Sequence, residues 1–548
     1  MALALSCQTL SIIFRKKIET MLFLKRFLFL FLTCLLITGC VGSHTSGGNQ
    51  NVFRMNLGTE PPDLDPALVR DLTSFSVIQP LMKGLTEFDQ DLKVQPAIAQ
   101  NWQRSPDGMT YVFNLRPDAR WSDGQPVTAQ QFVDAWQRVL DPKTGSEYAF
   151  FLFELKNAKA YYEGKITDFS QVGVRALNNH TLQVKLYRPT PFFPELVASP
   201  VSLPIRKDLI KKHGTRFVEA GNFISNGAYV LDTWIHEDKI ILKPNPYFYG
   251  EKPKVDAVEM LMVNDSNTSV VMYENGELDF IETTTSIPTF DVRRLRKFPE
   301  AHTRPIHRLN YFGFNTQKTP MNDVRVRQAF AHALDRSYYP RLLQSGQQPN
   351  SGWISEGLVG YNPNAGLKFD PKKAQQLLAE AGYPNGEGFP SITLAYRTGY
   401  DIQKECEIAQ YLWKKHLNVD VKLENMEWKV MLSRMEDDPP QIFRMGWFVD
   451  YPDADSYMAM FIKESGNNHT RWTSPEYDAL IAEAVITLDA KKRQTLYDKA
   501  QYLLLDKHAA IAPIYMAEKT WLIKPYIKGL EINQMNLIDI DQLEILPH

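Results

Sequence analysis

Past residue 40 the chain holds one cysteine, Cys406. No intramolecular disulfide can form in that body, so its stability has to come from an ordinary apolar core. Long apolar runs are missing as well: after Cys40 none approaches the roughly 20 residues that a spanning helix requires. Charge of one sign is also scarce, with 61 Lys and Arg against 63 Asp and Glu. Without the five basic residues and one acidic residue of the N-terminal leader the balance is 56 against 62, about −6. That mildly acidic, evenly mixed surface argues against nucleic acid as a partner. The 11 histidines are scattered, none in HExxH or another i, i+4 ligand pair, which leaves no dedicated zinc site. A GxSxG nucleophile elbow and a GxxxxGK[ST] phosphate loop are absent too. No catalytic constellation emerges, and neither a metal nor an organic cofactor is expected.

What is present begins with that leader. Lys25 and Arg26 precede the apolar run FLFLFLTCLLITG, which stops at Cys40 and gives way to the polar VGSHTSGGNQN. This is the order of a secretory signal, too short and wrongly flanked for a membrane span, and Met21 is a better start than Met1. Ile37, Thr38, Gly39 and Cys40 resemble the lipobox of bacterial lipoproteins, in which the cysteine is acylated and becomes the mature N-terminus. Cys7 and Cys34 then leave with the signal. The expectation is a body of about 500 residues in two or three lobes, held at a membrane surface by lipid on Cys40.

Along that body strand and helix signals alternate. FRMNLGT (53–59) and TYVFNLR (110–116) read as strands, as do HTLQVKLY (180–187) and DKIILKPN (238–245). Val127 to Leu140 reads as a helix capped by Thr128, with Phe132, Trp136 and Val139 inward. Asp323 to Asp335 reads as another, with Val324, Ala329, Phe330 and Ala333 inward. Asp370 caps a helix that starts at Pro371 and stops at Gly382. SITLAY, a helix through Leu412 and Trp413, and VDVKLE form a βαβ-like unit, followed by the strand QIFRMGW. Ser474 and Pro475 open a long helical region ended by Pro513, before a last strand near Tyr515. The pattern predicts an α/β or α+β protein of several lobes, without internal repeats.

One stretch stands out, FRMGWFVDYPDAD from Phe443 to Asp455. Asp450, Asp453 and Asp455 could suggest calcium, but the glycine and distal glutamate of an EF-hand loop are lacking. Alternatively Asp453 and Asp455 cap a helix starting near Ser456. Asp450 follows a strand, and in open α/β sheets residues just past the carboxyl ends of strands line the ligand crevice. The pattern alone leaves Asp450 as either a crevice residue or a helix cap.

Several blocks together resemble the oligopeptide-binding family, the extracellular solute-binding proteins (family 5) of peptide ABC importers. They are EPPDLDPAL (60–68), the run NWQRSPDGMTYVFNLRPDARWSDGQPVTAQQFVDAWQRVLDP (101–142), NGAYVL (226–231), NPYFYG (245–250), ENGELD (274–279), NDVRVRQAFAHALDR (322–336) and EWKVMLSRMEDDPPQIFRMGWFVDY (427–451). The likeness runs in order from about Phe53 to the C-terminus. It implies a two-lobed, periplasmic-binding-protein-like clamp (class II) with an additional third subdomain. On this chain the divisions would be a signal (1–39), lobe I (40–82), the extra subdomain (83–205), lobe I again (206–307), lobe II (308–515) and a last part of lobe I (516–548). Hinge crossings would fall near Arg308 and Tyr515.

The resemblance also implies a site. Asp450 matches an aspartate that pairs with the α-ammonium of a bound peptide, a group whose unpaired burial would cost several kcal/mol. Trp447 and Trp428 match aromatics of the side-chain pockets, Gly446 lets the backbone approach, and Arg444 matches an arginine available to a peptide carboxylate. Arg434 matches a second pocket arginine, with one extra residue between the two. Tyr148, Tyr311 and Tyr515 fall where ligand-facing tyrosines are placed. Two departures are visible. Phe448 and Arg308 stand where well-known members carry a cysteine crosslink, and Arg70 occupies a loop where an acidic residue can face the ligand, a change that would favour acidic or shorter ligands. The implied protein is a monomeric lipoprotein of the bacterial periplasm or outer face of the membrane, not an enzyme. It would pass short peptides to an ABC permease and its ATPase subunits. Murein peptides, dipeptides, metal chelates or haem in the same clamp are the alternatives; an anchored hydrolase would need a nucleophile and base that the sequence does not offer.

Overall fold

The computed structural model describes residues 51–283 and 285–548. The signal, the lipobox and Cys40 lie outside the described residues. The chain opens with β1 (Val52–Asn56) in the main sheet and then leaves it. A hairpin of β2 (Thr86–Phe88) and β3 (Val94–Pro96) leads to a separate antiparallel sheet. This sheet holds β4 (Ala99–Arg104), β5 (Thr110–Leu115), β6 (Val174–Asn178) and β7 (Thr181–Lys185), in the order β4-β5-β7-β6. The helix Ala129–Leu140 packs on it, its start fixed by a Thr128/Gln131 capping box and its buried face formed by Phe132, Trp136 and Val139. These elements fall within the 83–205 stretch read as an extra subdomain.

The chain then returns to the main sheet through β8 (Tyr229–Ile235), β9 (Lys239–Pro244), β10 (Ala257–Leu261) and β11 (Phe280–Glu282). After β12 (Ala301–Phe314) and the short β13 (Gln348–Pro349), the βαβ unit follows: β14 (Ile392–Arg397), a helix Tyr400–Leu417 and β15 (Val421–Met426), parallel as the pattern predicted. β16 (Ile442–Phe448) runs parallel to β14, and β17 (Ile511–Ile523) closes the set. The strand path is β15-β14-β16-β12-β17-β11-β1-β10-β9-β8, with β13 on β17.

β12 and β17, of 14 and 13 residues, therefore join the parallel trio to the group around β1. Their antiparallel ladder slips between Pro305 and Leu309, where Ile306, His307 and Arg308 oppose Ala517 alone. Such a bulge bends a strand and re-aims its side chains. The crossings read from the sequence, near Arg308 and Tyr515, lie on these two strands.

Two boundaries differ from the sequence reading. The helix capped by Asp323 ends at His332, and Val326 rather than Val324 faces the core beside Ala329 and Phe330. The C-terminal helical region is Pro475–Ile486, Ala490–Gln501 and a π-helical turn Tyr502–Lys507; it stops before Pro513. Pro513 lies inside β17 beside a second register slip, a place where a missing N–H is tolerated. No helix among the described residues is long and apolar enough to cross a membrane.

Candidate functional site

The parallel strands β14, β15 and β16 end on one side of the sheet. Arg397 closes β14, Trp428 follows β15 and Asp450 follows β16, and all three line a cavity of about 440 Å³. Other parts of the wall come from Val69, Phe75, Tyr148, Phe151 and Glu195. Along β16 and just past it, Arg444, Met445, Gly446, Phe448, Val449 and Asp450 reach the cavity. Trp447 does not line it; its indole Nε1 is buried with no hydrogen-bond partner among the described residues.

Arg444 is held from behind. Its Nε donates to Glu405 Oε2 at 2.6 Å and its Nη2 to Asn310 Oδ1 at 2.7 Å, while Tyr515 donates its hydroxyl to Glu405 Oε1 at 2.6 Å. All four side chains are buried. Glu405 thus neutralises Arg444 inside the protein, and Tyr515 belongs to the layer behind the cavity rather than to its wall. Gly446 is required by the same arrangement, because a Cβ there would stand 2.5 Å from Asn310 Oδ1. Tyr311 is a core residue, edge-on to Trp353 at 4.8 Å and to Phe461 at 5.9 Å. Arg434, on the helix Trp428–Asp437, pairs with Glu424 at 3.2 Å and stands outside the cavity wall. Trp428, 42 % exposed, sits in the first turn of that helix.

The acidic side of the cavity is different in kind. Asp450 has no ion pair or side-chain hydrogen bond among the described residues, and burial alone pushes its carboxyl up to about 6. Its backbone N–H donates to Ser456 Oγ at 3.0 Å, and among the described residues its carboxylate accepts no backbone N–H of the helix that follows, Asp455–Met458. Tyr148 is pushed up to about 12 by burial, with the charge of Asp450 adding to it. Glu195 is pushed up to about 7, chiefly by burial, and its Oε2 is buried without a hydrogen-bond partner among the described residues. Asp453 instead makes a bidentate pair with Arg493, at 2.8 Å for each bond, and its Oδ1 accepts the Asp455 N–H at 2.9 Å. Asp455 accepts the Tyr451 hydroxyl at 2.8 Å. Asp453 and Asp455 are thus engaged within the protein, unlike Asp450, and no cluster of three metal-ligating residues occurs among the described residues.

Arg308 and Phe448, the positions singled out as a missing crosslink, are register partners on β12 and β16, and both line the cavity. Arg70 also lines it but pairs with Glu147. The sequence reading missed Arg397 and Glu195, and did not see Arg308 as a wall residue. The rule that selected Asp450, that strand carboxyl ends line crevices, would have found Arg397 too. Glu195 carried no signal, since nothing in FFPEL marks its carboxylate as unpartnered.

Residues 93–469 match the family described as bacterial extracellular solute-binding proteins, family 5 middle. The chain is 34% identical to the oligopeptide-binding protein OppA of Bacillus subtilis (strain 168), over 90% of this chain and 93% of that protein. It is 35% identical to the periplasmic oligopeptide-binding protein OppA of Escherichia coli (strain K12), over 88% and 90%. Among solved structures, the unliganded open form of the periplasmic murein tripeptide-binding protein MppA superposes with a TM-score of 0.80 at 32% identity. It covers 91% of this chain and 98% of that one.

Proposed function

The chain belongs to the bacterial extracellular solute-binding proteins of family 5, an α/β two-lobed clamp with an extra subdomain, and from that premise we propose that it is the substrate-binding lipoprotein of an ABC importer for oligopeptides. The observation that carries the reading is Asp450, a carboxylate at a strand end, in a cavity wall, with no cation of its own among the described residues. A peptide α-ammonium supplies that counter-ion, and a desolvated ion pair of this kind fixes the peptide's N-terminus. Strand-like main-chain hydrogen bonds hold the rest, and hydrated side-chain pockets keep sequence preference weak. Arg444, Gly446, Trp428 and Tyr148 form the wall; Trp447, Tyr515, Tyr311 and Arg434 support it from behind or beside.

In this reading Cys40 carries the lipid that keeps the protein at the outer face of the membrane or in the periplasm. The monomeric clamp bends at β12 and β17 and delivers its cargo to a permease driven by ATPase subunits, with no bond made or broken. The similarity to a murein tripeptide-binding protein supports a second reading, the same clamp narrowed to murein peptides. Native mass spectrometry of the purified protein, followed by release of what co-purifies, separates the two. A ladder of short peptides supports the broad carrier, one murein species supports the narrow one, and absence of any peptide overturns both.

A further inference from the structure

The cavity has a second charged pole. Arg308 lies in the β12 bulge, opposite Phe448 in register, and lines the cavity with Arg397. Arg308 makes no hydrogen bond or ion pair with the described residues, and Arg397 only leans toward the Trp428 ring, 5.9 Å from its centroid. The nearby carboxylate, Glu405, is hydrogen-bonded to Arg444 and Tyr515; its charge reaches both arginines, but it forms no ion pair with either among the described residues. Burial, with repulsion from Arg444 and Arg397, depresses the Arg308 guanidinium against the opposing pull of Tyr515 and Glu405, and burial with repulsion from Arg444 depresses that of Arg397 against the pull of Glu405. Asp450 forms no ion pair with either arginine among the described residues, and burial alone raises its carboxyl. The cavity therefore has an anionic pole at Asp450 and a cationic pole at Arg308 and Arg397.

We propose that Arg308 and Arg397 form an anion subsite that selects peptides carrying a carboxylate within reach of their N-terminus. This inference rests on the peptide-binding reading above and names its substrate class. A guanidinium fork suits a planar carboxylate, and a half-buried cation at a bulge is costly until one arrives. The carboxylate has two possible sources, an acidic side chain or the C-terminus of a very short peptide. Arg70, the base that the sequence offered for acidic ligands, is neutralised by Glu147 and is not part of the subsite.

The test is titration calorimetry on the ligand-stripped protein with Ala-Glu-Ala and Ala-Gln-Ala, each as free acid and as C-terminal amide. The expected result is at least tenfold tighter binding of carboxylate-bearing peptides than of the Ala-Gln-Ala amide, with the gap shrinking in Arg308→Gln. Arg397→Gln, at an exposed strand end, shrinks it as well and guards against misfolding of the first variant. A gap that survives amidation assigns the carboxylate to the side chain; one that follows amidation assigns it to the C-terminus. Equal binding of all four peptides overturns the anion subsite while leaving the peptide carrier intact. Failure of all four to bind overturns the carrier and the subsite together.

Discussion

Tyr451 lies flat against Phe192, with ring centroids 5.3 Å apart and planes within 9°. Phe151 meets the same ring edge-on at 5.7 Å, and the hydroxyl is tied to Asp455. The loop that carries Asp450 is thereby clamped to the segment that carries Glu195.

Tyr451→Ala removes that clamp. The ring is partly buried, so the loss should be about 2–4 kcal/mol in denaturant unfolding, with a matching fall in peptide affinity as Asp450 loses its placement. Tyr451→Phe keeps the stacking and should cost about 1–2 kcal/mol, the worth of a buried hydroxyl bond.

Asp450→Asn should trade function for stability. The folded pKa of about 6 lies above the unfolded value near 3.8, so ionisation costs the empty protein stability, fully above pH 6 and not at all below about 4. The variant should be about 1–3 kcal/mol more stable in urea at pH 7.5, with the gain fading toward pH 4. It should lose binding of free-amine peptides. An N-acetylated peptide should bind wild type as poorly as the free peptide binds the variant.

Peptide affinity in the wild type should depend on pH through the same group. The ionised carboxylate is the binding form, so affinity should hold above pH 6 and fall by about tenfold per pH unit below it. Calorimetry between pH 5 and 8 in buffers of different ionisation enthalpy would count the proton released on binding. A flat profile would remove Asp450 from the recognition step.

Glu405→Gln should destabilise by about 3–5 kcal/mol, because it leaves Arg444 buried without a counter-ion. The double variant Glu405→Leu with Arg444→Met should recover most of that loss in unfolding experiments. Such recovery would identify the pair as a structural unit rather than as ligand machinery.

Cysteines at Arg308 and Phe448 should oxidise to a disulfide. Directly opposed residues in an antiparallel pair have Cα atoms about 4.5–5.5 Å apart, inside the disulfide range. Closing so long a loop should add up to about 4–5 kcal/mol, and reduction should abolish the gain in thermal unfolding.

Much of this fold was legible because local rules agreed with one another. The Asp370–Pro371 helix start, the parallel unit from Ile392 to Met426 and the strand before Asp450 each carried period and punctuation together. The site was legible only in part. Resemblance proposed Trp447, Tyr311 and Tyr515 as ligand-facing, but Trp447 does not line the cavity, while Tyr311 and Tyr515 serve the core and the Glu405 network. That network joins residues far apart in the chain, and nothing around Glu405 marks its carboxylate as the partner of Arg444. Pro513 misled for a related reason: a proline reads as a helix stop, and only the register slip beside it permits a place within a strand.

In the proposed clamp the paired strands β12 and β17 would act as a leaf spring. A two-strand ribbon resists shear along its length through its ladder bonds, yet flexes readily across its thin direction, most of all where three residues face one. Arg308 sits in that slip and in the cavity wall at once. If the clamp flexes there as proposed, the charge of its cargo should bear directly on how far the spring is bent.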